Sequence, residues 1–495
     1  MSILHNMWHK ILGMWKIGKK PEASKVSLPI GLVKKEVRTI TVGIDFGTSS
    51  TKVLWFDETR RKRYVAFYED SHIEGYPPYC IPSSVGIKDL LLYFGTAAEH
   101  SCAGENIYRS TKSDIGRDIK YDVGNKCGIN NEQEIAMQIA PIIFATLYIG
   151  FIIQQIKKQL DTHYEGKYEL NTTFNMAAPL DHLNHADMET KWEQILYYGE
   201  KLSSGIHNEM SLTDAINLYE NVKKNNPFIK DPQYSCTFVF PETVSAIVSY
   251  LNSGKPENGL FGIVDIGAGS TDISFFRHYE SQVELKESFY AAKSEMIAMD
   301  DFDKAIMSMI YSEQNIRDSE KGPEAQRVLL HRIRCAKASM GPNGLSLAND
   351  NIMVGKDAIE RATKNVRQRI VQCYRRTLGE AFKKEMRQER WNKWTLFLIG
   401  GGSRLEMIQR DFECCLGTQI NDPRRLKIEI EGRVGLPNGS AEIKWTDEMI
   451  SLLAIAYGLS INKLNWPAWA YPKDVSTLEP RKVKQRTDRE ELYPK

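Results

Sequence analysis

The chain carries no excess of charge of either sign: 65 Lys and Arg stand against 63 Asp and Glu, a formal net charge of +2. No whole-molecule electrostatic argument for nucleic acid exists, and no nucleic-acid partner is expected. No cysteines are spaced Cys-x-x-Cys and no secretory signal is evident, so the eight scattered cysteines are expected to be reduced thiols in a cytoplasmic protein. The neighbours Cys414 and Cys415 read as a helix-end pair without chemistry. The composition, 42% hydrophobic and 26% charged, lacks the bias of a disordered or fibrous chain. A chain of 495 residues suffices for two large domains or four smaller subdomains.

Long apolar runs are also scarce. Ile135 to Ile153 could span a bilayer by length. It contains Gln138 and Pro141, however, and runs into Gln154, Gln155, Lys157 and Lys158. A helix buried between a sheet and another helix reads the same way and is expected here. The N-terminus has no small-residue cleavage site. Within residues 3–20, Leu4, Met7, Trp8, Ile11, Leu12 and Trp15 share one helical face, flanked by Lys10, Lys16, Lys19 and Lys20. Such a leader can lie on an anionic membrane surface, dock on a partner, or pack on its own domain.

What the chain does have is one phosphate-loop pattern written twice. The first copy runs from Val42 through Asp45, Gly47, Thr48, Ser49 and Ser50 to Lys52. The second runs from Gly262 through Asp265, Gly267, Ala268, Gly269 and Ser270 to Asp272. Each reads as a strand, an Asp, and a glycine-bearing hairpin rich in Ser and Thr. Glycine leaves room for a phosphate beside the backbone, and successive N–H groups can face the anion. An Asp at the strand end can hold Mg²⁺, usually through water. Two such hairpins facing each other would grip a triphosphate from both sides.

Around these loops the organisation repeats at domain scale. From Arg38 the pattern is an antiparallel meander whose tip, Arg60 to Arg63, reads as solvated. A helix over 131–160, a strand over Thr172–Pro179, polar helical sequence over 187–225 and a strand at 236–240 follow. Pro241-Glu242-Thr243 then opens an apolar helix. The second half restarts with a meander, has helices through 300–390, a strand over 395–401, a glycine turn and a helix over Met449–Leu459. The expected divisions are a leader at 1–38, one lobe at 39–258, a second at 259–462, and an extended Pro- and charge-rich tail at 463–495. His182 and His185 have no Cys or carboxylate pattern nearby and read as surface residues.

Several further stretches complete an ordered set. Thr111 to Arg117 contains Lys112 and then Ile115-Gly116-Arg117. Pro241 to Ala246 places Glu242 before an apolar run; Ile399-Gly400-Gly401-Gly402-Ser403-Arg404 is a glycine turn; Ala454 to Gly458 ends the last helix. Ile81-Pro82-Ser83 and Gly95-Thr96-Ala97-Ala98 are smaller echoes. With the two loops, these residues make the chain, over roughly residues 40–460, resemble the ATPase domain of heat-shock-70 (DnaK-type) chaperones. That domain lies within the actin, sugar-kinase and heat-shock superfamily.

The resemblance implies an α/β fold of two lobes with duplicated ribonuclease-H-like mixed sheets, each five-stranded and flanked by helices, closing on Mg²⁺ and ATP or ADP. It implies roles as well. Asp45, Asp265 and Asp272 would organise the metal and its waters. Gly47, Thr48, Ser49, Ser50, Gly267, Ala268, Gly269 and Ser270 would hold phosphates. Lys112, Glu242 and Asp265 would serve the attack of water, with Asp265 a candidate proton acceptor. Gly400, Gly401, Gly402 and Ser403 would border the nucleoside, Arg404 would lie on adenine, and Lys337 would contact ribose and adenine.

Three departures stand out. Ala298-Met299 replaces a Gly-Gly pair, which leaves slow or absent hydrolysis open. Arg334, Ala338 and Gly341 replace other adenosine contacts. The stretch after Gly458 is too short for a peptide-binding β-sandwich of about 100 residues, so that domain is expected to be missing. The segment 187–225, longer than the usual connection, is a candidate for the surface that replaces it. The leading expectation is therefore a cytoplasmic, heat-shock-70-like ATPase switch for an unidentified protein partner. A small-molecule kinase, an actin-like filament former and a nucleotide-binding pseudo-ATPase scaffold are the alternatives. Oligomeric state is left open.

Overall fold

The computed structural model describes residues 35–66, 76–102, 104–109, 111–123, 138–230, 235–252, 259–278, 288–313, 322–338, 340–341, 343–347, 352–384, 394–416, 433–434 and 447–466. Residues 1–34 of the leader and the tail beyond Trp466 lie outside the described residues, as do the expectations attached to them, and the first strand already begins at Glu36. The architecture below is that of the compact unit Val37–Lys495.

Runs of β-branched and aromatic residues make the first meander, β1 (Glu36–Phe46), β2 (Ser50–Asp57) and β3 (Lys62–Ala66). β4 (Tyr168–Ala178) and β5 (Thr237–Pro241) extend it. The sheet order is β5-β4-β1-β2-β3, with Arg433–Val434 parallel to β3 and Ile81–Pro82 paired to β2. The second half repeats the theme: β6 (Gly259–Ile266), β7 (Thr271–His278) and β8 (Ser288–Glu295) form an antiparallel meander, and β9 (Trp394–Ile399) lies parallel to β6. Among the described residues the first sheet has seven strands and the second four, rather than five each. The surplus in the first is two pairings only two residues long.

Between the strands lie α1 (Thr111–Asp114), α2 (Pro141–Tyr164), α3 (Ala186–Leu202), α4 (Leu212–Asn225) and α5 (Glu242–Leu251). The apolar run becomes α2, and it begins at Pro141 rather than near 131. Proline suits the first helical turn, where its missing N–H has no partner to lose. Gln138–Ile139 before it is a short strand paired to Tyr121–Asp122. Phe144, Leu147, Tyr148, Ile152 and Ile153 of α2 are fully buried. Among the described residues no helix is long and apolar enough to cross a membrane. α3, expected to be polar surface, places Trp192, Ile195, Leu196 and Leu202 in that same core. Its polarity is confined to the outer face. At the β2–β3 tip, Arg60, Arg61 and Lys62 are exposed as expected, but Arg63 folds inward. Its guanidinium donates to the Tyr457 hydroxyl at 2.8 Å and stacks 4.0 Å from that ring's centroid.

The second sheet is packed by α6 (Met299–Glu313), α7 (Pro323–Ala338), α8 (Lys356–Lys384) and α9 (Glu406–Leu416). Phe275, Ile333, Ile370, Tyr374 and Phe412 centre its core. A third apolar layer joins the lobes: α5 and α10 (Asp447–Leu459) pack with Leu54 and Val65 from one sheet and Phe261, Ile263 and Phe397 from the other. The two helices cross at Gly458, where a Cβ would stand 1.8 Å from the Ser245 carbonyl oxygen, so only glycine permits the approach. The molecule is an α/β protein of two lobes, duplicated mixed sheets flanked by helices, with the actin/heat-shock-70-like ATPase architecture.

Candidate functional site

The two loops are the β1–β2 and β6–β7 hairpins, and their registers match. Asp45 sits opposite Lys52, and Asp265 sits opposite Asp272. The tips face each other: a Cβ on Gly269 would lie 2.7 Å from Ser113 Oγ and 3.1 Å from Thr48 Oγ1. Thr48 and Ser113 hydroxyls are themselves 3.4 Å apart. Between the hairpins opens a cleft with a cavity volume of about 610 Å³.

Charged side chains line its floor. Glu242 is the first residue of α5, placed there because Pro241 ends β5. Lys112 comes from α1 and donates to Glu242 Oε1, and both are buried. Lys52 Nζ donates to Asp45 Oδ2 at 3.1 Å. Burial opposes the Lys52 charge, yet Asp45, together with Cys80 and Asp265, outweighs this and raises its pKa. Asp265 is held well above the usual carboxylate range by burial and then by Glu242, Asp272 and Asp45. Burial, with Glu242 next, pushes Asp272 up to about 7. Ser270 Oγ donates to Asp272 Oδ2 at 3.0 Å, while Asp272 Oδ1 is buried with no hydrogen-bond partner.

The opposite end is built by the turn after β9. Gly400 has φ +80°, and a Cβ there would come within 2.3 Å of Asp265 Oδ1, so glycine lets this turn lie against the second hairpin. Ser403 Oγ donates to the Gly400 carbonyl at 2.7 Å, and Gln409 Nε2 donates to the Ser403 carbonyl at 2.9 Å. Arg404 lines the cleft near Tyr79 and Cys80, and burial lowers its pKa. From α7, Arg334 Nη2 donates to Asp300 Oδ1 at 2.7 Å and Lys337 Nζ to Asp303 Oδ1 at 2.5 Å.

Every site residue expected from the sequence lines this one cleft: both hairpins, Lys112, Glu242, Lys337 and the Gly400–Arg404 turn. The Ala298-Met299 segment packs against the second hairpin. The Met299 and Asp300 amides donate to the Gly267 and Ala268 carbonyls at 3.2 and 2.8 Å, so they brace the second hairpin instead of facing the cavity. His182 is no isolated surface group, because its Nδ1 accepts from the buried Trp192 indole at 3.1 Å. Among the described residues no cluster of three or more His, Cys, Asp or Glu could hold a metal directly. A divalent ion here would be held through water, as magnesium commonly is.

Sequence reasoning missed Lys52, Tyr76 and Cys80 as lining residues. Lys52 had a signal: it is a charge inside a strand that continues Val53-Leu54-Trp55 into the core. Tyr76, 3.2 Å from the Ser49 hydroxyl, had none, because it precedes the Ile81–Pro82 strand in a loop without a motif. Burial pushes the Cys80 thiol up to about 11, which marks it as a protonated lining group.

No protein-family model matches the chain. It is similar to the chaperone protein HscA homologs of Burkholderia pseudomallei (strains 668 and K96243) and Burkholderia mallei (strain SAVP1). Each is 24% identical over 171 residues, a stretch that is 34% of this chain and 26% of the relative. The chain thus spans about a quarter of the length of the curated relatives it matches. The likeness supports a heat-shock-70-like family and nothing finer.

Proposed function

We propose that this chain is a heat-shock-70-like, Mg²⁺-dependent ATP-binding protein, an ATPase whose two lobes close on nucleotide and present a surface to a protein partner. We read the lobes as residues 39–258 and 259–462. The observation that carries the reading is the convergence of two Asp-x-Gly hairpins, Lys112, Glu242 and the Gly400–Arg404 turn on one cleft. The cleft also fits a hydrated divalent ion, because Asp272 Oδ1 is buried without a partner beside Asp265.

The residues divide the work by position. When bound, magnesium would neutralise charge on the β- and γ-phosphates. Asp45, Asp265 and Asp272 would hold its water shell. Hairpin N–H groups and the Thr48, Ser49, Ser50 and Ser270 hydroxyls would receive phosphate oxygens. The Asp265 carboxylate, held well above the usual carboxylate range by burial, would accept the proton of an attacking water. Lys112, aligned by Glu242, would place positive charge beside that water. The Arg404 guanidinium would cover one face of adenine, with Lys337 at the ribose. Lobe closure works as a switch only if nucleotide binds the closed form better than the open one.

The test is Mg-ATP binding with single-turnover hydrolysis on the full chain. Lys112→Ala is expected to keep ATP affinity within a few-fold and slow hydrolysis by about 10²–10³-fold. Asp45→Ala is expected to weaken Mg-ATP binding. No binding of ATP or ADP at millimolar concentration would end this reading. One observation favours a second outcome. With the Met299 and Asp300 amides committed to Gly267 and Ala268, fewer backbone donors face the cavity, as in a nucleotide-binding scaffold without turnover. Wild-type binding with no hydrolysis would select it.

A further inference from the structure

The near-balance of charge over the whole chain conceals a polarity. Residues 1–35 hold seven lysines against the single acid Glu22, so the remainder of the chain is net acidic. Positive charge is thus concentrated where the apolar positions Leu4, Met7, Trp8, Ile11, Leu12 and Trp15 recur at helical spacing. The folded part carries a second basic feature at the end of the strand this stretch leads into. Glu36 opens β1, and the Glu58 amide donates to the Thr39 carbonyl at 3.1 Å, so the start of β1 runs beside the β2–β3 turn. At that turn Arg60, Arg61 and Lys62 are exposed. The two acids of the turn are engaged by the fold. Asp57 is fully buried and accepts from the Thr59 and Arg60 amides at 2.9 Å and from the Tyr164 hydroxyl at 2.7 Å, with the Arg60 guanidinium 4.0 Å away. Glu58 accepts from the Thr41 hydroxyl at 3.0 Å. The turn therefore presents cations outward and keeps its carboxylates inward.

We propose that the leader and the β2–β3 turn together hold this protein on an anionic membrane surface. Lysines of the leader and the side chains of Arg60, Arg61 and Lys62 meet lipid headgroups, and the apolar leader positions enter the boundary between headgroups and acyl chains. Each cation near an anionic bilayer adds only a modest attraction, so a three-residue turn is too weak alone. A basic amphipathic stretch likewise binds through apolar burial and headgroup attraction combined. Because one continuous chain carries both, engagement of the first raises the effective concentration of the second at the surface. The apolar residues decide between partners. A nucleic acid would answer the cations but would give Leu4, Trp8 and Trp15 no apolar medium, whereas a bilayer answers both. This inference does not depend on the reading of the cleft.

The experiment is co-sedimentation of the full chain with phosphatidylcholine vesicles, with and without about 30% phosphatidylserine, over a series of salt concentrations. Wild type is expected to bind the phosphatidylserine vesicles at least about tenfold more tightly than phosphatidylcholine alone, and to lose most of that preference between about 0.1 and 0.5 M salt. Trp8→Ser with Trp15→Ser is expected to weaken binding by at least about tenfold, and Arg61→Gln with Lys62→Gln by about fivefold. Both variants should keep the wild-type melting temperature, since neither pair belongs to a described core. Should Lys62→Gln disturb β3, Arg61→Gln alone decides, with a loss of about twofold or threefold expected. If the turn variant binds vesicles as wild type does, the turn is only solvated and the inference is overturned. It is equally overturned if wild type shows no preference for phosphatidylserine, or if binding is insensitive to salt. Retention on heparin without vesicle binding would identify a soluble polyanion as the partner and overturn it too.

Discussion

The two hairpins share a backbone plan and differ at one register position. Opposite Asp45 in the first stands Lys52; opposite Asp265 in the second stands Asp272. One hairpin therefore carries a pair of opposite charges and the other a pair of like charges. The difference shows in the carboxylates: Asp265 and Asp272 are both raised by burial and by their acidic neighbours. A duplicated architecture can thus place a cation on one wall of a cleft and a cation-seeking site on the other, with the same strand–turn–strand geometry. The second hairpin is the one whose carboxylates are held above their usual range.

The comparison is broken most severely by making the first hairpin a copy of the second. Lys52→Asp would leave two buried carboxylates without a cation, at a cost of about 3–5 kcal/mol. Urea unfolding at pH 7.5 should show that loss, with part of it recovered at pH 5.5 as the pair takes up a proton. An unchanged midpoint would mean that the ion pair contributes nothing to the first hairpin.

The second hairpin should reveal itself through pH. Asp272 is pushed from 3.8 up to about 7 in the fold, so the folded state holds its proton more tightly than the unfolded chain. Its stabilising contribution is full at acid pH and is lost as pH rises from about 4 through about 7, an effect of at most about 4 kcal/mol. The ligand-free melting temperature is expected to fall across that window, and Asp272→Asn to flatten the profile. Mg²⁺ with ATP should oppose the fall, because it favours the ionised carboxylates. A profile untouched by Asp272→Asn would assign the titration to another group.

The smallest expected effect separates the turns themselves. A Cβ on Gly47 would meet the Ser50 carbonyl oxygen at 2.5 Å, whereas one on Gly267 would meet the Ser270 oxygen at 3.1 Å. Gly47→Ala should therefore lower stability by about 2 kcal/mol and Gly267→Ala by under about 1 kcal/mol. Thermal melts that reverse this order would show that the first turn can relax more readily than its geometry suggests.

Much of this was legible in the residues because the signals are local. The Asp-x-Gly hairpins, the Pro241-Glu242 break before an apolar helix and the Gly400-Gly401-Gly402 turn each depend on a few consecutive residues whose backbone needs are specific. The errors fall where a neighbour distant in sequence decides. α3 was read as polar surface because its charges are conspicuous, yet Trp192, Ile195 and Leu196 face α2. Arg63 was assigned to a solvated tip although Tyr457 and Ser460, from the far end of the chain, draw it inward. A helix start near 131 runs ahead of the structure, in which Pro141 occupies the first turn.

By itself the sequence determined the two-lobed duplication, the strand, hairpin and connecting-helix sites, and which residue types would meet at the cleft. Those follow from periodicity, from turn chemistry and from side-chain donors and acceptors, all properties of short segments. The pairing of charges was decided only by the tertiary structure. Lys112 finds Glu242, Lys337 finds Asp303, and Asp265 is surrounded by carboxylates because separate elements carry them to one buried place. Charge interactions in a buried site depend on distance and solvent exclusion, and neither is encoded in any one segment of the chain.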